Sequence, residues 1–372
     1  MTSRLIVNSI RHTGASADAI TLDNSGNATF PANVTCSGTA TGFGKPPKAT
    51  NLIINGDFKI SQRTTSSTTN GYTSVDRWKI ESSNITHNST KSQQSLSSSD
   101  TPYTLGFRKF ARIALSQAGV VAANSYVEFQ QKIEAQNVSN SGWNYTSSSS
   151  FITVQFWFRC STNQTFYAWV TSTDGTNKRF TFSFTASGNN AWTKVTKTIP
   201  GASDIQIDDD NGEGFNVVIA PFYGTDYTGS VSLDTWVTKN DATHSPDYAS
   251  TWLTAGASTF DITGVQLEVG DSASDFEHRS FQQELNLCKR YYQEAGILLS
   301  NTSPYRYHNN ICLETEMRIT PTRTVGAIDS GSGGAITPLW DNTNGANSKQ
   351  YFYQGNPNSV ISNAWFKFDA EL

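Results

Sequence analysis

Charge is scarce in this chain of 372 residues: Asp, Glu, Lys and Arg make up 16% of it, against about 25% in ordinary soluble domains. The 27 Lys and Arg against 31 Asp and Glu leave a net charge of −4, and the basic residues form no run or stripe. The positive field that nucleic acid or an anionic membrane surface would need is missing, so neither is expected as a partner. Long apolar runs are missing too. Runs such as Phe156-Trp157-Phe158 are far too short to span a bilayer, and Met1-Thr2-Ser3-Arg4 leads into no signal-peptide core. Membrane insertion is not expected, and synthesis in the cytoplasm is. Cysteine is sparse: Cys36, Cys160, Cys288 and Cys312 stand far apart, without CxxC or Cys/His ligand spacing, which predicts isolated buried thiols. The five histidines, at 12, 87, 244, 278 and 308, form no HExxH pair, and there is no Gly-x-Ser-x-Gly, P-loop or Rossmann fingerprint. No cofactor and no enzymatic activity are expected.

Aromatic residues are plentiful, at 12%, among many Ser, Thr and Asn. That mix reads as all-β structure with uncharged polar surfaces, and the length allows two or three domains. From residue 50 to about 275 apolar residues recur with period two between turn clusters, the mark of half-buried antiparallel strands. Ile152, Val154, Phe156, Phe158 and Cys160 fall on one face, Phe180, Phe182 and Phe184 align likewise, and so do Phe215, Val217 and Ile219. Many short strands of this spacing predict a β-sandwich or jelly roll. The Ser/Thr/Asn-rich stretches at 64–70, 81–100 and 136–150 read as loops. Ser280 with Gln283 makes a capping box, Phe281, Leu285, Cys288 and Tyr292 share a stripe, and Gly296 offers a stop, which places one linking helix in 276–297. Residues 298–372 remain as a small C-terminal β domain.

Residues 1–49 differ from the rest. Leu5-Ile6-Val7, Ile10, Ile20, Leu22 and Phe30 are short apolar groups among turn residues. A fibrous β segment of this kind buries little apolar area alone, so it needs copies of itself or a larger body. Pro46-Pro47 reads as a stiff linker.

Several stretches carry a resemblance. Leu22-Asp23-Asn24-Ser25-Gly26-Asn27-Ala28-Thr29-Phe30 resembles the unit that begins a fibrous stalk in podovirus tail-fibre and related virion proteins. Asn51-Leu52-Ile53-Ile54-Asn55-Gly56-Asp57-Phe58, Ser61-Gln62-Arg63 and Tyr72-Thr73-Ser74-Val75-Asp76-Arg77-Trp78 look like the opening of phage tail proteins that carry a carbohydrate-binding-module-like jelly roll. Phe260 to Gly270, with Phe276-Glu277-His278-Arg279, is similar to the closing signature, and the two halves are expected to pair as first and last strands. Leu287 to Tyr292 and Met317 to Thr322 resemble segments that follow the jelly roll in the same proteins. The resemblance implies a homotrimeric tail fibre of the virion, assembled in the host cytoplasm. Leu5, Ile6, Val7, Ile10, Ile20, Leu22 and Phe30 would anchor it to other tail proteins such as an adaptor or nozzle, and the body would bind a host-surface receptor, a glycan. A capsid decoration or head-fibre protein is one alternative, and a capsular polysaccharide depolymerase is another.

Sugar rings present apolar C–H faces that stack on aromatic side chains, so loop aromatics are the candidate contacts: Tyr223, Tyr227, Tyr248 and Trp252, and distally Trp340, Tyr351 and Tyr353. Trp157, Trp169 and Trp192 read as core or sheet-face residues on strands, and Trp78 as structural. A glycosidase would need two carboxylates roughly 5 to 9.5 Å apart. Spacing selects no pair among Glu128, Glu134, Asp234 and Glu268, and Glu128 and Glu134 read as solvent-face residues of one strand. Asp208, Asp210 and Glu213 form the densest acidic cluster, a candidate calcium site, although Asn211-Gly212 also marks a plain hairpin turn.

Overall fold

The computed structural model describes residues 7–25, 28–30, 50–85, 89–186, 190–300, 307–330, 337–341, 350–355 and 360–372. The chain divides into two compact units, Met1–Pro47 and Lys48–Leu372. In the first, β1 (Ser9–Ile10), β2 (Ile20–Leu22) and β3 (Ala28–Thr29) form a three-stranded antiparallel sheet. Its apolar side chains find little cover: Ile10, Leu22 and Phe30 are exposed. Leu5, Ile6, Cys36 and Pro46-Pro47 lie outside the described residues.

The second unit contains β4 (Ser66–Ser67), β5 (Lys79–Ser83), β6 (Ser89–Ser95), β7 (Lys109–Leu115), β8 (Tyr126–Glu134), β9 (Phe151–Cys160), β10 (Thr165–Ser172), β11 (Lys178–Thr185), β12 (Thr193–Pro200), β13 (Glu213–Tyr223), β14 (Trp236–Thr238) and β15 (Ser258–Val269). They build two six-stranded antiparallel sheets, a first ordered β14-β11-β10-β13-β8-β5 and a second ordered β12-β9-β15-β7-β6-β4. The period-two pattern decides which side chains face inward. Ile152, Val154, Phe156 and Phe158 of β9 meet Phe180 and Phe182 of β11 and Phe215, Val217 and Ile219 of β13 in one core. Phe158 stacks on Phe260 with ring centres 5.8 Å apart and meets Phe184 edge-on at 4.8 Å. Burying each such ring contributes about 2–3 kcal/mol, which a sandwich free of disulfides among its described residues needs.

Composition misled at several places. Ser89–Ser95, expected as loop, is a strand paired with β7 from Ser89↔Leu115 to Ser95↔Lys109. Its ladder bonds come from the backbone, which polar side chains do not prevent. Trp192 precedes β12 instead of lying on a strand, and packs edge-on against Phe110. Cys160 and Cys288 are buried free thiols, but Cys312 is exposed.

The two halves of the signature meet. Leu52 N donates to Leu267 O at 2.8 Å and Val265 N to Gly56 O at 2.9 Å. Asn51 Oδ1 accepts from Ile53 N and Leu267 N, both at 3.0 Å, while Arg279 donates to the carbonyls of Asn51 and Ile53. A Cβ at Gly56 would lie 2.0 Å from Val265 O, so this approach requires glycine. Trp78 and Asn55 of the opening motif are structural as well. Trp78 Nε1 donates to Asn55 O, and the Asn55 side chain bonds Ile60 N, Ile60 O and Asp76 O.

The helix spans Phe281–Lys289, and its Ser280–Gln283 capping box is complete. It ends well short of Gly296, because β16 (Tyr292–Ser300) already begins at Tyr292. Tyr291 lies under the Arg77 guanidinium at 3.4 Å and Tyr292 under that of Arg63 at 3.6 Å, and these contacts draw the chain out of the helix. The expected stripe holds at Leu285, Cys288 and Tyr292 but not at Phe281, which is exposed, and buried Glu284 accepts from Asn55 N at 2.5 Å. β16 joins β21 (Val360–Asp369) and β18 (Thr322–Ser330) in one three-stranded sheet, and β17 (Tyr307–Cys312), β20 (Gln350–Gly355) and β19 (Thr337–Asp341) form another. Gly296 pairs with Trp365, whose indole lies 3.3 Å from where its Cβ would be. Ion pairs join this region to the sandwich: Arg63 with Asp369 at 2.9 Å, Arg77 with Glu371, and Arg290 with Glu134 at 2.7 Å.

Candidate functional site

Three of the expected sugar-contact residues come together, Tyr223 buried and Tyr227 and Tyr248 half-buried. Tyr223, at the end of β13, meets Tyr227 at 5.8 Å between ring centres, Tyr126 of β8 at 5.6 Å, Trp169 of β10 at 5.2 Å and His244 at 5.0 Å on the outer face of the first sheet. Tyr248 meets Tyr167 and Phe222 nearby. The segment from Gly224 to Tyr248, which carries Tyr227, His244 and Tyr248, closes over Trp169 and Tyr223. Thr181 Oγ1 donates to His244 O at 2.9 Å, Arg179 Nη1 to Asn240 O at 3.1 Å and Tyr248 OH to Ala220 O at 3.2 Å. Trp169 and Tyr223 are buried as a result. Trp252 is a core residue and not a loop contact: it is fully buried, edge-on to Phe260, with Nε1 donating to Thr259 O at 3.1 Å. Trp340 lies on β19, and Tyr351 and Tyr353 on β20; their side chains are outside the described residues.

Glu128 and Glu134 are buried, not solvent-facing. Glu128 stands opposite Glu81 of β5 and accepts from Tyr223 OH. Burial pushes its carboxyl up to about 7, and Glu81 adds to the effect. Burial likewise lowers His244 to about 3, with Arg179 contributing. Glu134 is held below the usual carboxylate range despite its burial, because Arg290 grips it with two bonds and Tyr291 OH donates at 2.5 Å. The acidic turn does not converge on a common point: Asp210 Oδ1 accepts from Gly212 N, and Glu213 pairs with Lys132 at 2.7 Å. Among the described residues no group of three His, Cys, Asp or Glu side chains is placed to hold a metal ion.

An open concavity of about 360 Å³ lies on the second sheet. Trp157 of β9, half-buried, lines it together with Phe107 and Phe276, and Lys194, Asp275, His278 and Gln155 supply polar groups. Alternation along β9 sends Phe156 and Phe158 inward and Trp157 outward, and β12 places Lys194 directly across from Trp157. Gly264 makes room for the rings. It sits in a bulge of β15 at φ +62°, and a Cβ there would lie 2.7 Å from the Phe107 ring and 3.3 Å from that of Trp157. His278 packs against both Phe107 and Phe276, at 4.9 and 5.0 Å, while those two rings meet each other at 4.8 Å, and its Nε2 donates to Leu105 O at 2.9 Å. Gln155 is fixed by Glu268 Oε1 and Ser274 O, at 3.2 and 2.8 Å. Rigid rings beside fixed hydrogen-bonding groups suit a ligand with one apolar face and many hydroxyls. The alternation expected of β9 puts Trp157 in the core or on a sheet face, and the sheet face is where it lies. The pointer to it was the closing signature, which supplies Gly264, Phe276 and His278.

No family model matches the chain, and no curated protein sequence matches it. Among solved structures, the chain is similar to a putative sugar binding protein from Bacteroides thetaiotaomicron VPI-5482, at 10% identity and TM-score 0.31 over 59% of this chain and 100% of that one. It is similar to the family 11 carbohydrate-binding module of a cellulosomal cellulase of Clostridium thermocellum, at 9% and 0.27 over 58% and 98%. It is also similar to the enzymatically active domain of tailspike protein 4 of bacteriophage CBA120, at 10% and 0.30 over 59% of this chain and 21% of that one. Likenesses this distant transfer no function.

Proposed function

We propose that this chain is a phage virion attachment protein that binds a host-surface glycan in the concavity over Trp157 and acts by binding, without hydrolysis. The observation that carries the reading is the half-exposed Trp157, kept free by Gly264 beside Phe107 and Phe276 within reach of Lys194 and His278. The exposed apolar residues of the N-terminal unit, Ile10, Leu22 and Phe30, support a role in assembly, as a trimer joined to other tail proteins. The phage-like signatures supply the virion context. Labelled protein added to host cells tests the reading: wild type binds and blocks phage adsorption, and Trp157→Ala loses at least about tenfold in binding, or about 1.4 kcal/mol. Equal binding by Trp157→Ala with an unchanged melting temperature would remove this pocket from the account. Release of reducing sugar from the host polysaccharide would overturn the non-catalytic part.

A further inference from the structure

We infer that the pocket over Trp157 is one of two adjoining subsites, and that the glycan it takes is an oligosaccharide spanning at least two rings; this rests on the glycan-binding reading above. A second concavity, of about 420 Å³, is lined by Glu277, His278, Arg279, Gln283, Asn286 and Leu287. His278 lines both. Its ring is held against the Phe107–Phe276 pair and by the bond to Leu105 O, so it is a fixed edge that the two concavities share.

The two concavities differ in chemistry. The first offers aromatic faces, while the second adds no aromatic ring beyond His278. Arg279 is committed to Asn51 O, Ile53 O and Glu277. Of the groups in the second, Gln283, Asn286 and Leu287 lie exposed on the helix, and the Gln283 side chain is engaged in the capping box. One sugar ring stacks on Trp157, and its neighbour in the chain passes His278 to hydrogen-bond with Asn286 and cover Leu287.

An array of bacterial surface oligosaccharides of one to six rings, followed by titration of the strongest array glycan and its shorter fragments, tests this on the full chain. Affinity is expected to rise at least about tenfold between one ring and two or more. The exposed double variant Asn286→Ala/Leu287→Ala is expected to lose that rise and keep single-ring binding, and Trp157→Ala to lose binding at every length. Affinity independent of length, with Trp157→Ala still abolishing it, overturns the second subsite and leaves the first. An array on which wild type binds nothing, or binding that Trp157→Ala leaves unchanged, overturns the underlying reading and this one with it.

Discussion

At position 264 any residue but glycine meets two obstacles, a backbone at φ +62° and two aromatic rings where its Cβ would stand. Gly264→Ala is expected to cost about 1–3 kcal/mol in urea unfolding and to weaken glycan binding as strongly as Trp157→Ala. Unaltered binding would mean that Phe107 and Trp157 do not shape the site. The covered cluster on the first sheet makes a different prediction, in pH. Glu128 titrates at about 7 in the folded chain against an ordinary 4.5, so the fold holds this proton more tightly than the unfolded chain does. Its stabilisation is complete below about pH 4.5 and is lost as pH rises towards 7, a change of the order of 3 kcal/mol. His244, depressed to about 3, acts in the opposite sense, stabilising above its ordinary 6.5 and losing that as pH falls. Melting temperatures followed across pH should decline less on the alkaline side in Glu128→Gln and less on the acid side in His244→Gln; parallel curves would contradict the assignment. Neither group was legible in the sequence, since alternation correctly puts Glu128 on the outer face but is silent on what covers it.

The elements of the sandwich were legible wherever apolar residues alternate, as in β9, β11 and β13. β6 was not, because its ladder is made by the backbone of a polar segment. The helix start was legible in its capping box, whereas its end is set by Arg77 and Arg63, which are distant in sequence. The link between the first and last segments of the sandwich depends on Asn51, while Asn55 holds the opening segment together. Asn55→Ala would strip Ile60 N, Ile60 O and Asp76 O of their buried partner, a loss of about 3 kcal/mol or more in urea unfolding. Ser280→Ala, which removes only a cap, should cost about 1 kcal/mol. If the two variants proved equally mild, the Asn55 bonds would not be what holds the opening segment in shape.

The all-β class of the whole molecule could be read from composition and period. The site could be read only in part: three chosen tyrosines do gather, but Tyr223 lies beneath the 224–248 segment that carries the other two, and the open pocket uses Trp157, which the sequence places in the core or on a sheet face. The division at Pro47 predicts that residues 48–372 expressed alone melt as they do in the full chain, with the mass of a monomer, while the full chain has that of a trimer. A monomeric full chain that still adsorbs to host cells would remove the trimer from the proposal. The clasp also has a mechanical meaning. The chain enters this unit at Lys48 and is seized at once through Asn51 by Glu277 and Arg279, the two residues flanking His278 in the pocket. A pull between a tethered N-terminal side and a glycan seated at His278 would run along that short route. The β-sheets would carry little of the load, and a tug on the host surface would strain a few hydrogen bonds in parallel before it peeled any strand.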